Sequence, residues 1–253
     1  MRLKQLSLLF IILSVATSAI AATFANESLD YKVMYKWGLI HKQAGHATLT
    51  LRNQGNRYIT QLTAASEKWA DRFYMVRDTL NGVIIKNGFL PIFYEKIARE
   101  GGEYKRDIIK YTRTGNTVIG DCTRIRQKNK KKPITTDSII LKAQGMTIDM
   151  LSAFYYMRSV DYQKMKTGEN VSLNVFSGKR KELLKIIYHG VETIEYDERT
   201  YQCYHITFTF TSDGKKKTSD DMDAWITTDS RRIPVKLEGK LPVGKIHCLY
   251  TGK

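Results

Sequence analysis

The 253-residue chain contains few of the residues that stabilise small secreted scaffolds or form extended linkers. It has only 3 cysteines and 4 prolines, so the composition indicates neither a disulfide framework nor a proline-rich linker. Acidic residues number 25 against 41 lysines and arginines, which gives a net charge of +16. Hydrophobic residues make up 42% and charged residues 26%. These proportions exclude a disordered or fibrous chain and favour one large domain.

Common signatures of enzyme chemistry are also missing. The sequence has no Gly-x-Ser-x-Gly nucleophile motif, no His-Glu-x-x-His zinc motif, no Walker loop and no dinucleotide-binding glycine fingerprint. His41 and His46 are five residues apart, which places side chains on opposite faces of a regular strand, and nothing indicates a third metal ligand. Asp220, Asp221 and Asp223 lack the ligand spacing of a calcium loop. We therefore assign no catalytic residue and expect no metal and no other cofactor.

The first 21 residues have the pattern of a secretory signal peptide. Arg2 and Lys4 precede an apolar stretch at residues 6–15, and Ala19-Ile20-Ala21 matches a cleavage site. The alternative is an N-terminal membrane anchor, but a bilayer span needs about 20 apolar residues and this stretch is shorter. We expect cleavage after Ala21, a single domain over residues 22–253 without a transmembrane segment, and a periplasmic location.

The rest of the chain alternates between hydrophobic and polar residues at the strand period of two. Residues 31–37 place aromatic and aliphatic side chains at every second position, with mostly basic ones between them. Turns rich in glycine and asparagine, such as residues 53–56, recur at intervals typical of sandwiches and barrels. The pattern predicts roughly a dozen short strands. We expect a mainly β protein whose curved antiparallel sheet forms a sandwich or an open barrel.

Two segments depart from the strand period. Residues 66–76 carry aromatic side chains at helical spacing, which predicts a short helix or a bent connection. Residues 149–160 carry an apolar stripe and predict an amphipathic helix, with Asp149 placed to cap its start and Arg158 near its negative end. Because a helix of about three turns is not stable alone in water, we expect it to pack on the sheet.

Aromatic residues are concentrated around these two segments and mark the candidate ligand site. Core packing between helix and sheet is one interpretation, and an apolar groove or cavity with the helix as its lid is the other. Cavities of this kind hold lipid-like ligands. The candidate ligand-binding residues are Trp69, Phe73, Tyr74, Phe93, Tyr94, Phe154, Tyr155 and Tyr156.

Basic residues are concentrated in three runs. The densest run is the candidate basic surface and comprises Arg124, Arg126, Lys128, Lys130, Lys131 and Lys132. The other two lie at residues 179–181 and 215–217. Such runs form phosphate-binding patches or solvated hairpin tips that protect strands from aggregation. Because the chain is expected to be exported, an anionic envelope surface fits as a partner better than nucleic acid, which we do not expect.

The three cysteines, Cys122, Cys203 and Cys248, all lie in strand-like sequence. Cys203 and Cys248 both fall in late strands, so a disulfide between them is one alternative. The other alternative is that all three are small buried hydrophobic residues with free thiols. The alternation of hydrophobic and polar residues around Cys203 predicts that its side chain faces the core, which favours buried free thiols over the disulfide.

A set of short motifs occurs in a consistent order along the chain. The motifs are residues 35–38 with Gly45, residues 149–158, 176–179, 190–192 and 201–203, residues 224–226 with Asp229, and residues 232–235 and 243–244. Together they resemble the domain of unknown function 3108 family of exported bacterial proteins, especially those of Bacteroidetes. The resemblance covers about residues 29–250 and implies export and a β fold, with no catalytic residue to assign. The lysine-rich segment at residues 128–132 departs from the family pattern.

These observations lead to three functional hypotheses. The first is a non-enzymatic periplasmic protein that binds or scaffolds an envelope lipid or other amphiphile. The second is an envelope enzyme acting on glycan or peptide, with carboxylates such as Asp149 or Asp229 brought together in space. The third is a protein-interaction module that uses a sheet edge. The sequence carries no signal for an oligomeric state.

Overall fold

The computed structural model describes residues 23–212, 220–241 and 243–252. The expected signal peptide at residues 1–21 and the basic run at 215–217 lie outside these residues. The described strands are β1 Glu27–Trp37, β2 Ile40–Gln54, β3 Arg57–Ser66, β4 Val76–Ile85, β5 Leu90–Glu100, β6 Glu103–Thr114, β7 Thr117–Gln127, β8 Thr135–Gln144, β9 Thr147–Asp149, β10 Asn170–Ser177, β11 Arg180–Tyr196, β12 Arg199–Ser212, β13 Met222–Thr227, β14 Pro234–Lys240 and β15 Lys245–Tyr250. The α-helix α1 spans Met150–Ser159, and short 3-10 turns span Ala70–Arg72, Asn87–Phe89 and Tyr162–Lys164.

All fifteen described strands belong to one sheet. From its centre, β1 to β8 follow one another as a meander to one edge, and β15 back to β9 continue to the other edge. The first and last described strands meet at the centre, where Tyr31 of β1 pairs with Tyr250 of β15. Neighbouring strands are antiparallel except for β9 and β10, which are parallel. The prediction of a mainly antiparallel β protein is confirmed, and the structure takes the barrel-like form because a single curled sheet replaces two stacked ones.

The sheet curls until its two edges nearly meet. Phe176 of β10 stacks on Tyr111 of β6, with 5.8 Å between ring centroids and 14° between ring planes. On the neighbouring strand β7, Gly120 leaves room for the Phe176 ring, since a Cβ there would lie 2.6 Å from it. Arg113 of β6 donates hydrogen bonds to the carbonyls of Pro91 (2.6 Å) and Thr147 (3.2 Å), which joins β5 to β9. These contacts nearly close the barrel.

Replacing Gly120 with alanine is expected to lower the free energy of unfolding by about 1–3 kcal/mol, because the new methyl group would force the Phe176 ring off Tyr111. Gly239→Ala is the matched control. Gly239 also lies in a strand, and its new methyl group would meet neighbours at an ordinary 3.5 Å. Chemical denaturation of both variants measures the difference. Equal stability of the two variants would contradict this account of barrel closure.

The helix α1 lies inside the curled sheet, where it is buried on all sides. Asp149 caps its first turn, as predicted. Leu151 and Tyr155 pack into one hydrophobic cluster, whereas Ala153 and Met157 pack into a second cluster formed mainly by β10 to β13. The helix therefore separates two cores and does not simply cover one sheet face. This placement explains why nearly every residue of the helix is at least half-buried.

A β-bulge in β2 changes one prediction about the histidines. Val33 pairs with Gly45 and Met34 with Gln43, so Ala44 is an extra residue without a partner on β1. Because of this extra residue, the side chains of His41 and His46 point in the same direction, and both lie on the outer face of the sheet. The prediction that they point to opposite faces was wrong. Even so, no three His, Cys, Asp or Glu side chains within the described ranges are grouped closely enough to hold a metal ion.

The segment at residues 66–76 is a bent connection that contains the 3-10 turn Ala70–Arg72, in agreement with the prediction. Arg77 and Asp71 form an ion pair of 2.7 Å that holds this turn against the start of β4. The connection spans the end of the sheet beside β2. In the part of the chain that the structure describes, no helix has the length and hydropathy needed to cross a membrane.

Candidate functional site

An apolar cavity of about 400 Å³ lies between the sheet and the helix. Its wall is formed by the inward-facing residues of β14, β15, β1, β2 and β3, near the centre of the sheet. Phe154 of α1 contributes the opposite side, and Val76 and Tyr74 line one end. Representative wall residues are Val33, Leu49, Leu62, Leu237, Ile246 and Cys248. No Lys, Arg, Asp or Glu lines the cavity among the described residues.

Small side chains create the volume of this cavity. Ala47 of β2 and Ala64 of β3 occupy inward positions, next to Gly45 and to Ala65 and Ala70 at the same end of the sheet. Farther along β2, the larger Leu49 also lines the cavity, and Leu51 is buried in the core. Because an alanine leaves the space that a larger side chain would fill, the interior stays open at this end. These small residues were missed in the sequence analysis, because Ala47 and Ala64 lie on different strands and face each other only through the pairing of β2 with β3.

Aromatic residues surround the open end of the cavity. Trp69 donates a hydrogen bond from Nε1 to the carbonyl of Gln43 (2.7 Å), and Lys42 lies 4.7 Å above its ring. Phe73 meets Trp69 edge to face with 6.3 Å between centroids. Phe73 is 83% exposed and Tyr74 is 53% exposed, yet Tyr74 also lines the cavity. Exposed aromatic side chains therefore lie beside the mouth, with the Lys42 ammonium close to them.

The remaining candidate aromatic residues lie elsewhere. Tyr94 and Tyr155 are core residues, and Tyr155 donates a hydrogen bond to the carbonyl of Thr50 (3.1 Å). Burial raises the pKa of both phenols well above the usual range, so they stay neutral. Phe93 pairs with the exposed Lys110 and shares its outer face of the sheet, and Tyr156 packs partly buried against the second core. Of the eight candidates, Tyr74 and Phe154 line the cavity, and Trp69 and Phe73 lie beside its mouth.

A charged wall continues from the cavity along the inner face of β4 to β7. Asp78 of β4 pairs with Ala64 of β3 and lies 3.5 Å from the Nζ of Lys96. Burial of the Asp78 carboxyl raises its pKa to about 6, even though the Lys96 ammonium favours the charged form. Lys96 also lies 3.6 Å from Glu100. The interior thus changes from apolar to charged within one strand of the cavity wall.

The predicted basic surface divides into two parts. Arg124 and Arg126 follow the inward alternation of β7, and both guanidinium groups contact Asp107, at 3.7 Å and 2.5 Å. Arg124 also pairs with Asp137 at 3.0 Å. The other four residues form the exposed connection between β7 and β8: Lys128, Lys130, Lys131 and Lys132. The exposed patch is therefore made of lysines, while the two arginines neutralise a mostly buried carboxylate.

The two carboxylates considered for catalysis serve as caps. Asp149 is fully buried and accepts hydrogen bonds from the backbone N–H groups of Leu151 (2.8 Å) and Ser152 (2.7 Å) and from the Ser152 hydroxyl (2.8 Å). Asp229 accepts from the Thr227 hydroxyl (2.8 Å) and from two backbone N–H groups of its own turn. Both groups are thus engaged in local structure, and neither lines the cavity.

All three cysteines are free thiols. Burial raises the pKa of Cys122 and of Cys248 to about 11 and that of Cys203 to about 12. A thiol with such a pKa is protonated at neutral pH and is a weak nucleophile. Cys248 is the one of the three that lines the cavity. The disulfide alternative for Cys203 and Cys248 is not realised.

A nearly closed, barrel-like antiparallel sheet with an internal helix and an apolar cavity defines the class of this protein. The family model described as "Protein of unknown function (DUF3108)" matches residues 30–248, so the chain belongs to that family. A solved β-barrel-like protein of the domain of unknown function DUF1849, from Brucella abortus, is similar in fold, with a TM-score of 0.63 and 9% sequence identity. The match covers 91% of this chain and 98% of that chain. No curated protein matches the sequence.

Proposed function

We propose that this protein binds the hydrocarbon part of an amphiphile, such as a lipid acyl chain, in the cavity beneath α1. The observation that carries the proposal is the apolar cavity of about 400 Å³, a size within the range of small-molecule sites. Transfer of hydrocarbon from water into such a space is favourable by about 25 cal/mol per Å² of buried apolar surface. The proposed role is that of a non-enzymatic binding or scaffold protein of the cell envelope.

The surroundings of the cavity favour an amphiphile over a wholly apolar ligand. The wall is apolar, whereas His46 and Glu67 contact each other at 3.3 Å beside the mouth and Lys42 lies above Trp69. Asp78 and Lys96 supply charge on the inner side. A ligand with a long apolar part and a polar head satisfies both environments, because its head can remain hydrated while its chain is buried.

The proposed location is the periplasm. The support comes from the sequence, because Arg2, Lys4, the apolar residues 6–15 and Ala19-Ile20-Ala21 form the pattern of a cleaved signal peptide. Fractionation of the native host, with the N-terminus of the protein determined by mass spectrometry, tests this assignment. An N-terminus at Ala22 in the periplasmic fraction supports it. An intact Met1 in the membrane fraction would refute it.

Filling the cavity is expected to abolish ligand binding without loss of the fold. Ala64→Trp places an indole in the cavity and should weaken the binding of a fluorescent fatty acid, cis-parinaric acid, at least tenfold. Thr63→Trp is the matched control, since Thr63 is the exposed neighbour on the outer face of β3. Its dissociation constant should stay within about twofold of that of the unmodified protein, as expected for a surface position.

Ala47→Leu fills less of the same cavity, because a leucine side chain is smaller than an indole. We therefore expect a smaller loss of affinity from this variant. Circular dichroism of each variant checks that the sheet has formed. Organic extraction of the purified protein, followed by mass spectrometry, should release a lipid from the unmodified chain and less from Ala64→Trp. No saturable probe binding, or equal binding by Ala64→Trp and Thr63→Trp, would rule out the cavity as the site.

A further inference from the structure

Strand direction brings the cavity mouth and several turns to one end of the barrel. Lys36 of β1 pairs with His41 of β2 and with Lys245 of β15, so the β1–β2 and β14–β15 turns are neighbours. Because neighbouring antiparallel strands run in opposite directions, the connections β3–β4, β5–β6, β7–β8 and β10–β11 also lie at this end. We call this end the loop rim, defined as residues 37–40, 67–75, 101–102, 128–134, 178–179, 241 and 243–244.

Exposed hydrophobic side chains are concentrated at the loop rim. Twelve large hydrophobic residues are exposed in the described ranges, and eight of them belong to this rim: Trp37, Leu39, Ile40, Phe73, Tyr74, Ile134, Leu241 and Val243. Leu39 is completely exposed and Phe73 is 83% exposed. None of the twelve lies in the turns at the opposite end, where the β11–β12 turn instead carries Asp197 and Glu198. The two ends of the barrel therefore differ in chemistry.

Several of the rim residues contact neighbouring side chains or turns. The β14–β15 turn touches the β1–β2 hairpin, because a Cβ on Gly244 would lie 3.1 Å from the Cβ of Trp37. Lys42 of β2 covers Trp69, and Trp69 contacts Phe73. The Tyr74 ring in turn lies against Gly101 of the β5–β6 turn. Among these residues Tyr74 also lines the cavity, so the rim lies beside the cavity mouth.

Positive charge accompanies these hydrophobic side chains. Lys130, Lys131 and Lys132 are exposed in the β7–β8 connection, next to Ile134. The two acidic side chains of the rim lie beside basic residues, since Glu67 is 3.3 Å from His46 and Asp71 is 2.7 Å from Arg77. A surface that combines exposed Trp, Phe and Leu with lysines matches the interface of an anionic bilayer, where apolar groups insert and lysines meet phosphates.

We propose that the loop rim docks on an anionic lipid bilayer, with Trp37, Leu39 and Phe73 in the interfacial region and residues 130–132 against the lipid phosphates. Docking in this orientation brings the cavity mouth to the membrane surface, so that an amphiphile can exchange without crossing water. The docking surface adds a partner to the cavity proposed above, and it can be measured whether or not the cavity binds a ligand.

Sedimentation with vesicles tests the docking surface. The protein is purified from a secreting host, with the same N-terminus verified in every variant, and is mixed with vesicles of phosphatidylcholine alone or with one quarter phosphatidylglycerol. We expect binding to the anionic vesicles that weakens with salt. Leu39→Ser should lower the partition coefficient about tenfold, because it removes an apolar side chain that would insert into the bilayer. Leu39 is wholly exposed, so the replacement leaves the core unchanged. Replacing Lys130, Lys131 and Lys132 by Gln should lower it roughly a hundredfold at low salt.

Two matched controls separate docking from general hydrophobicity and charge. Val191→Ser removes a half-exposed aliphatic residue in mid-strand β11, and the triple variant Arg52→Gln, Lys110→Gln, Lys142→Gln removes three exposed bases outside the rim. Both should bind vesicles as the unmodified protein does. Ala64→Trp should also dock normally, so failure of ligand binding and failure of docking are distinguishable. Absence of vesicle binding, equal losses in the controls, or dimerisation that Leu39→Ser abolishes would overturn the proposal.

Discussion

Replacing Arg158 with alanine is expected to lower the free energy of unfolding by about 3–5 kcal/mol, the loss typical of breaking one partner of a buried ion pair. The Arg158 side chain is completely buried in the last turn of α1. Its guanidinium contacts both carboxylate oxygens of Glu27, at 2.5 Å and 2.9 Å. It also donates to the carbonyls of Arg231 (2.9 Å) and Arg232 (2.8 Å). Without it, a mostly buried carboxylate and two carbonyls lose their partners.

The position of Arg158 makes this loss a global one. Glu27 begins β1, and the two carbonyls belong to the β13–β14 connection, so the side chain joins the helix to the first strand and to a connection late in the chain. The guanidinium also lies 4.3 Å from the centroid of Phe24, ahead of the first strand. For a protein of this size, the expected fall in melting temperature is roughly 6–20 °C. Thermal and urea unfolding, followed by circular dichroism, measure the change.

Three further variants test the explanation for Arg158. Arg158→Lys keeps the charge but loses the two-point contact, so an intermediate loss is expected and the variant remains measurable if the alanine form does not fold. The double variant Glu27→Leu, Arg158→Met removes both charges and should be more stable than Arg158→Met alone. Arg52→Ala, at an exposed position, should change stability by less than about 0.5 kcal/mol. A stability of Arg158→Ala equal to that of Arg52→Ala would disprove the role assigned here.

Replacing Asp149 with asparagine is expected to remove a pH dependence of stability worth about 2 kcal/mol between pH 4 and pH 6.5. Burial raises the pKa of Asp149 from 3.8 to about 6, in spite of the hydrogen bonds from Leu151 and Ser152 that lower it. Between these two pKa values the folded protein holds a proton that the unfolded chain has released. Stability therefore falls as the pH rises through this range, and the full penalty is present above the folded-state pKa.

Asparagine keeps the cap while it removes the charge. Its side-chain oxygen can accept from the same two backbone N–H groups, and its amide can donate to the Ser152 hydroxyl oxygen. We expect similar stabilities of Asp149→Asn and the unmodified protein near pH 4, and a more stable variant at pH 7. Denaturant unfolding of both proteins in steps of pH measures the difference.

Two comparisons isolate the contribution of Asp149. Asp78, whose pKa burial also raises to about 6, titrates in the same range, but it is present in both proteins and cancels in the difference. Asp121→Asn, at an exposed position on the outer face of β7, should leave the pH profile unchanged. A constant difference between Asp149→Asn and the unmodified protein from pH 4 to pH 7 would show that Asp149 does not titrate in this range.

Local patterns in the sequence were sufficient to predict the elements. The alternation at residues 31–37 predicts that Tyr31 is buried and Lys32 is exposed, as observed. Asp149 and the apolar stripe after it predict the helix to within a residue, because capping and helical periodicity act over one or two turns. The family was also recognisable, since the order of short motifs is a property of the sequence alone.

Features that depend on distant contacts could not be predicted in this way. Arg124 and Arg126 belong to one basic run in sequence with Lys130. They lie within β7, however, where the alternation of side chains directs both arginines inward, against Asp107. The extra residue Ala44 reverses the orientation expected for His41, because a bulge breaks the period of two on which the prediction rests. The cavity depends on alanines of different strands facing one another, which no single segment reveals.

Composition and short-range periodicity thus determined that this chain is a β protein with one capped helix, since these properties arise from interactions between residues close in sequence. The pairing of β1 with β15, the enclosure of α1 and the opening beside Ala47 and Ala64 were decided by tertiary structure. The physical reason is that curling one sheet around a helix brings together side chains up to about two hundred residues apart. The space left between these side chains depends on their combined volume, and the sequence alone does not show which of them pack together.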